Sequence, residues 1–355
     1  MSPDVVTLRE VARAAGVHPG TASRALNVAT RSLVSPDTVE RVTVAANALG
    51  YRPNYLARSF KTNRTLSVGV VIPDMNNPLF PPMLRGIEDR LSGDGYVALL
   101  ANTESDLDRQ ERIFEGMLER KVDGLICATA HLEDPSLEAL GDQGLPVVLF
   151  NRVAENHAFS SVSVDDAAGI RLAVEHLAAL GHRRIAHIAG PQGYSTGLAR
   201  YRGFLASMRA GGLAVDERLI PFAAGFTIAE GERCTARILG SGAPPTAIVA
   251  GNDMQALGSY TAIEQAGLRC PDDISVVGFN DMPFIDRLSP PLTTVRIPHH
   301  DVGTRAAELL LERLESPAMP LREVLLAPGL VVRGSTGPAA ELVPGRVPEP
   351  AAPLS

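Results

Sequence analysis

The segment Gly193-Tyr194-Ser195-Thr196-Gly197 spells the G-x-S-x-G pattern of a hydrolase nucleophile, and His299 and His300 stand downstream as formal triad partners. Such a serine must sit on a turn leading directly out of a strand. Here Gly190-Pro191-Gln192 separate it from the apolar run Ile185–Ala189, and hydrolysis is set aside. As metal ligands the two histidines are no better placed. Adjacent helical residues point roughly 100° apart, and no carboxylate or cysteine stands at ligand spacing. Cys127, Cys234 and Cys270 lie far apart with no C-x-x-C pair, so they read as small buried residues. The sequence predicts no enzyme, no metal and no cofactor.

Arginine offers a different chemistry. The 355 residues carry a formal charge of -7, but the charge is segregated. Residues 1–64 hold nine basic and four acidic side chains, a net +5, which leaves -12 on the remainder. A small basic module on an acidic body makes nucleic acid a partner for the first 64 residues only.

The elements that must position these arginines are legible. Thr7-Leu8-Arg9-Glu10 fits a capping box, Leu8, Val11, Ala12 and Ala15 repeat at helical spacing, and Gly16 ends the helix. Pro19 suits the first turn of a second helix through Leu26. Ser35-Pro36 opens a third, with Val39, Val42, Ala46 and Leu49 on one face and Gly50 at its end. Two helices joined by a tight turn, with a third closing the core, make an all-α helix-turn-helix headpiece over residues 1–50.

From Leu66 the rhythm becomes α/β. Expected strands are Leu66–Ile72, Val97–Ala101, Gly124–Ala128, Pro146–Phe150, Ile185–Ala189, Ala247–Ala250 and Ser275–Phe279. Helices are expected near 78–92, 106–120, 165–180, 197–210, 227–239, 252–266 and 300–315. This alternation predicts parallel sheets covered on both faces, either one barrel or two doubly wound lobes. Residues 337–355 contain five prolines and few large apolar groups, which predicts a disordered tail without coiled-coil heptads. No apolar run reaches the roughly 18 residues of a membrane span. Met1-Ser2-Pro3-Asp4 lacks the basic and apolar regions of a signal peptide, so a cytoplasmic location is expected.

The run from Thr7 to Asn27 closely resembles the headpiece of the lactose-repressor (LacI/GalR) family of transcriptional regulators. Val34–Thr38 and Leu49–Asn54 resemble its third helix and exit, and Asn54–Phe60 its hinge helix. In the body, Leu180–Ile185, Arg200–Phe204, Asn252–Gly258, Ile274–Asp281 and Pro291–Val295 follow in the family's order. The resemblance covers roughly residues 5–335. It implies two periplasmic-binding-protein-like lobes joined by crossings near 163, 291 and 325. The N-lobe would then span 65–163 and 292–325, the C-lobe 164–291 and 326–336, and a hinge and linker 51–64.

The resemblance also implies roles. Pro19, Gly20 and Arg24 stand at base-reading positions, with Thr21 and Ser23 suited to phosphate oxygens. Thr7, His18, Asn27, Tyr51, Asn54 and Arg58 complete the DNA-binding set. An isolated helix arginine is ordinarily solvated surface, but within this motif Arg24 is expected to bond guanine O6 and N7. Pro19 and Gly20 carry no hydrogen-bonding side chain, a departure from the family. Phe60 stands where the hinge places a leucine wedge in the minor groove, and Ala57 would allow close approach. The effector set is Phe80, Asn151, Arg152, Thr196, Arg200, Phe226, Asn252, Asp253 and Asn280, with Arg200 as anchor. Family members commonly have aspartates where Asn151 and Asn280 stand. A sugar or sugar derivative is the first expectation, with a nucleobase or another metabolite behind it. The expected protein is a homodimer on a pseudo-palindromic double-stranded operator. The rival is a soluble sugar-binding or sugar-processing protein with a vestigial DNA module.

Overall fold

The computed structural model describes residues 6–27, 30–51, 64–242 and 244–339. The chain divides into two compact units, Met1–Thr65 and Leu66–Ser355.

In the first unit, helices α1 (Leu8–Ala14), α2 (Pro19–Leu26) and α3 (Pro36–Ala48) enclose a core of Val11, Ala12, Ala15, Ala22, Ala25, Val42 and Ala46. With so many alanines the helices approach closely. The capping box at α1 is formed: Thr7 N–H donates to Glu10 Oε2 at 2.6 Å and Glu10 N–H to Thr7 Oγ1 at 3.4 Å. Those bonds from Thr7 hold the Glu10 carboxyl below its usual pKa. Leu49, expected on the buried face of α3, is its C-cap and stays exposed.

The second unit holds two sheets. The first contains β1 (Ser67–Ile72), β2 (Val97–Asn102), β3 (Gly124–Cys127), β4 (Val147–Phe150), β5 (Ser160–Val164) and β10 (Glu323–Leu326), in the order β10-β5-β4-β3-β1-β2. Every pairing in it is parallel. The second contains β6 (Ile185–Ile188), β7 (Ala247–Ala250), β8 (Ser275–Asn280), β9 (Thr293–Arg296) and β11 (Gly329–Val331), in the order β11-β9-β8-β7-β6. Only β11 runs antiparallel, against β9. A parallel bridge between Ala189 and Phe222 places another extended segment beside β6. Both sheets therefore reverse strand order beside their first strand, the doubly wound plan that opens a crevice at the strands' carboxyl ends.

Helices cover both sheets. α4 (Phe80–Gly93) packs against α11 (His299–Glu315), α7 (Asp166–Ala179) against α8 (Ser195–Ala210), and α9 (Ile228–Leu239) against α10 (Asp253–Gln265). α5 (Leu107–Glu119) and α6 (Pro135–Asp142) bury Phe114, Met117, Leu137 and Leu140 against the opposite face of the first sheet. Glycine sets the α4–α11 spacing: a Cβ at Gly86 would run into the His300 carbonyl, and one at Gly303 into that of Met83. β1, β3 and β4, buried almost throughout, are the continuous apolar runs that two-sided cover demands.

Several expectations need correction. The second passage between sheets comes after Arg296 rather than near 291, because β9 extends the second sheet by pairing with β8. The third, expected near 325, needs none: β10 pairs with β5 through Leu326, and β11 of the second sheet begins at Gly329. Strands β5, β9, β10 and β11 and helix α6 were absent from the pattern-based expectation. Residues 337–339 are not a free tail: Gly337 N–H donates to Ser275 Oγ at 3.1 Å and Ala339 N–H to the Leu180 carbonyl at 2.9 Å. The rest of that proposed tail, and the hinge residues Asn54, Ala57, Arg58 and Phe60, lie outside the described residues.

Candidate functional site

Two sites emerge, one in each unit. In the headpiece, α2 begins with His18 as N-cap, whose Nδ1 accepts from Gly20 N–H at 3.1 Å, and Pro19 occupies the first turn. The acceptor role leaves Nδ1 unprotonated and directs the ring's N–H to Nε2. Ala22 and Ala25 are buried, while Ser23 and Arg24 on the opposite face are exposed. Arg24 Nε donates to the Gly20 carbonyl at 3.3 Å, so the guanidinium folds back toward the helix start. Thr21, Asn27 and Tyr51 are half-buried. Tyr51 packs on the headpiece core, and that burial raises the pKa of its hydroxyl. Thr7 is exposed but engaged in the capping box.

In the second unit a cleft of about 420 Å³ is bordered by the carboxyl ends of both sheets. Asp74 follows β1, Glu104 and Ser105 follow β2, and Asn151 and Arg152 follow β4. From the second sheet come Tyr194 and Thr196 beyond β6, Phe226 beyond the Phe222 bridge, Asn252 beyond β7, and Asn280 at the end of β8. Of the nine expected effector residues, all but Asp253 line this cleft.

Asp253 is fully buried behind it. Its carboxyl accepts from Thr294 Oγ1 at 2.5 Å and from Met282 N–H at 2.8 Å, and burial pushes its pKa up to about 7. Neighbours at a helix start point in different directions, so Asn252 reaches the cleft while Asp253 secures the loop behind it. Asn252 itself is largely committed: its Oδ1 caps α10 by accepting from Gln255 N–H at 2.9 Å, and its Nδ2 donates to the Phe226 carbonyl at 3.3 Å. Asn280 is 2% exposed with φ 119°, and its Oδ1 has no hydrogen-bond partner among the described residues.

The two arginines differ. Arg200 Nε donates to Asp166 Oδ1 at 2.7 Å and Nη1 to the Gly251 carbonyl at 2.6 Å, while its guanidinium covers the Phe279 ring at 3.8 Å. Arg152 lies over the Tyr194 ring at 3.7 Å. Burial lowers the Arg152 pKa and raises that of Asp166, the latter opposed by Arg200. Phe80, also in the cleft lining, meets Phe150 edge to face at 6.5 Å.

Sequence reasoning missed Asp74, Asn77, Glu104, Ser105 and Tyr194 in the lining. The available signal was position: several of them stand just beyond a strand's carboxyl end. Two of the three triad-like residues are otherwise engaged, while His299 Nε2 is buried without a partner among the described residues. Ser195 Oγ accepts from Val153 N–H at 2.9 Å, and His300 Nε2 pairs with Asp89 at 3.2 Å. Among the described residues no cluster of three metal-ligating side chains forms, and no helix is long and apolar enough to cross a membrane.

Comparison with known proteins agrees with this geometry. The family profile of bacterial regulatory proteins of the lacI family matches residues 7–54, and that of the periplasmic binding protein-like domain matches residues 174–336. The ribose operon repressor of Halalkalibacterium halodurans is 34% identical over 332 residues, 94% of this chain and 97% of that protein. The Lac repressor dimer bound to operator and the anti-inducer ONPF superposes with a TM-score of 0.82 at 30% identity, over 94% of this chain and 99% of that one. A LacI family transcriptional regulator from Enterococcus faecium with bound ribose superposes with a TM-score of 0.66 at 32% identity, over 77% of this chain and 99% of that one. A headpiece whose recognition-helix face is exposed, a two-sheet core with a polar cleft, and relatives matched across both units converge: this chain belongs to the LacI family of bacterial regulatory proteins and is a DNA-binding transcriptional repressor.

Proposed function

We propose that a polyhydroxylated small molecule, a sugar or sugar derivative, occupies the core cleft and sets the affinity of the headpiece for its operator. The observation that carries this reading is the composition of one cleft shared by both sheets. Asn151 and Asn280 supply amides, Asp74 a carboxylate, and Phe80 and Phe226 rings against which a sugar face can pack. The ribose-bound relative supports the same ligand class. Because the lining comes from both lobes, a ligand there has differential affinity for their open and closed arrangements, the requirement for shifting an equilibrium.

At the DNA, Arg24 reads a guanine from the exposed face of α2, and His18, Thr21 and Ser23 contact the backbone. The repressor acts as a homodimer on a pseudo-palindromic double-stranded operator, by binding rather than catalysis, in the cytoplasm. Met75, Val97 and Leu100, exposed apolar residues on and beside edge strand β2, suit the contact with the second copy.

Thermal melting of the full chain against pentoses, hexoses, disaccharides and nucleobases tests the effector, paired with mobility shifts on DNA flanking its gene. A sugar should raise the melting temperature and change operator affinity. Stabilisation by nucleobases alone would overturn the sugar assignment.

A further inference from the structure

The charges around the cleft are not evenly placed. Arg200 has its counterion in Asp166, but Arg152 is 7% exposed and forms no ion pair among the described residues. A guanidinium so far out of water ordinarily has a carboxylate or phosphate partner, because desolvating an uncompensated ion is costly. Here it meets Tyr194, through the ring face at 3.7 Å and a side-chain hydrogen bond, and that neutral partner leaves the charge uncompensated.

Tyr194 is also the N-cap of α8, a helix of 16 residues whose first turn no side chain caps. Its opening amides and the positive end of its dipole therefore stand beside the unpaired guanidinium. Thr196 of that first turn lines the cleft with Arg152. The two components come from different lobes, Arg152 after β4 and Tyr194 after β6. The lobes are already joined here by the Ser195–Val153 bond and by Leu132 N–H donating to the Gly193 carbonyl at 3.0 Å.

Acidic groups line the cleft too, but strand order keeps them apart. Asp74 and Glu104 follow β1 and β2, two and three strands from β4, or about 10 and 14 Å at the usual strand spacing. Glu104 is paired with Arg109 at 2.8 Å, and Asp74 accepts from Asn76 N–H at 2.9 Å. The cleft is thus polarised, with hydroxyl-accepting groups at one end and an unneutralised cation at the other.

From this geometry we infer that the effector carries an anionic group, a carboxylate or a phosphate, bound between the Arg152 guanidinium and the N-terminus of α8. This rests on the sugar reading above and narrows it to an acidic or phosphorylated sugar. The anion would join the guanidinium of one lobe to the helix start of the other, so the charged end of the ligand holds the lobes together.

The test uses the full chain and matched probes at constant ionic strength: glucose, glucuronate and glucose 6-phosphate, and ribose with ribose 5-phosphate. Affinities come from calorimetry and melting shifts. The charged member of at least one set should bind at least ten-fold more tightly than its neutral parent, and glucuronate against glucose 6-phosphate separates carboxylate from phosphate. Arg152→Gln should narrow that preference to less than about two-fold, while Arg152→Lys keeps part of it. Neutral sugars binding as tightly as their charged partners would overturn the anionic inference and leave the sugar reading standing. Failure of every sugar, neutral or charged, to bind would overturn both.

Discussion

Arg200 Nε and Asp166 Oδ1 meet at 2.7 Å with side chains only 5% and 8% exposed, a buried ion pair at the rear of the cleft. Asp166 opens α7 immediately after the first passage between sheets, and Arg200 stands in the second turn of α8. The pair therefore fixes the cleft wall to the segment where the lobes join.

Breaking that pair should cost more than replacing both partners. Arg200→Gln strands a buried carboxylate and should destabilise the ligand-free protein by about 3–5 kcal/mol. The double variant Arg200→Gln with Asp166→Asn, which removes both charges of the pair, should lose much less than the sum of the single variants. Urea unfolding of all four proteins gives the coupling directly. An additive cycle would mean that the two groups do not depend on each other.

For the headpiece, Arg24→Ala should weaken operator binding by about 1–3 kcal/mol and binding to random DNA much less. The helix should survive. Its N-cap is His18, and the bond from Thr30 Oγ1 goes to the Arg24 backbone carbonyl at 3.1 Å rather than to its side chain. Fluorescence anisotropy on both DNAs distinguishes the outcomes, and equal losses would assign Arg24 to the phosphates.

How much of this was legible depended on whether a segment's neighbours are local. The capping box at Thr7, the proline start of α2 and the apolar repeat Val11, Ala12 and Ala15 of α1 are local signals, and the structure repeats them closely. Apolar strands such as β1 and β4 announced themselves as runs buried on both sides. β5, whose sequence is Ser-Ser-Val-Ser-Val, gave no such signal. It is a strand because β4 and β10, the latter about 160 residues away, supply its hydrogen bonds. The cleft was legible in part for a similar reason. Arg200 and Asn252 stood in recognised blocks, whereas Glu104 and Ser105 enter it through positive φ values of 55° and 57°. Non-glycine residues do not advertise that conformation.

His187 should make the core acid-sensitive. Its ring is fully buried and stacked on Phe204 at 4.8 Å, Nδ1–H donates to the Val249 carbonyl at 2.9 Å, and Nε2 has no partner among the described residues. Burial pushes its pKa down to about 4 from 6.5. The unfolded chain therefore binds the proton first, and stability present above pH 6.5 is lost as pH falls toward 4. Asp253, raised to about 7, has the opposite sign, losing its contribution as pH rises from 3.8 through 7. A raw pH curve mixes the two. His187→Leu should shrink the stability lost between pH 6.5 and 4 by up to about 3 kcal/mol relative to wild type. Chemical denaturation at both pH values checks this, and parallel losses in the two proteins would remove His187 from the account.

Two asparagines in the cleft should separate structure from recognition. Asn252 spends its side chain on the α10 cap and the Phe226 carbonyl, so Asn252→Ala should cost about 1 kcal/mol of stability and loosen the Phe226 segment. Asn280 presents a buried Oδ1 without a partner, an acceptor left for an effector hydroxyl or N–H. At φ 119° an alanine would add backbone strain of its own, so glycine is the informative replacement. Asn280→Gly should reduce affinity for the most strongly stabilising sugar by about ten-fold, the worth of one buried hydrogen bond of roughly 1–1.5 kcal/mol. Operator binding by the ligand-free protein should persist, because the headpiece carries its own core and helix caps. Calorimetry with the sugar and anisotropy with the operator measure the two arms separately. If Asn280→Gly binds the sugar as wild type does while Asn252→Ala does not, the ligand sits toward Phe226 and the unpaired amide of Asn280 serves another purpose.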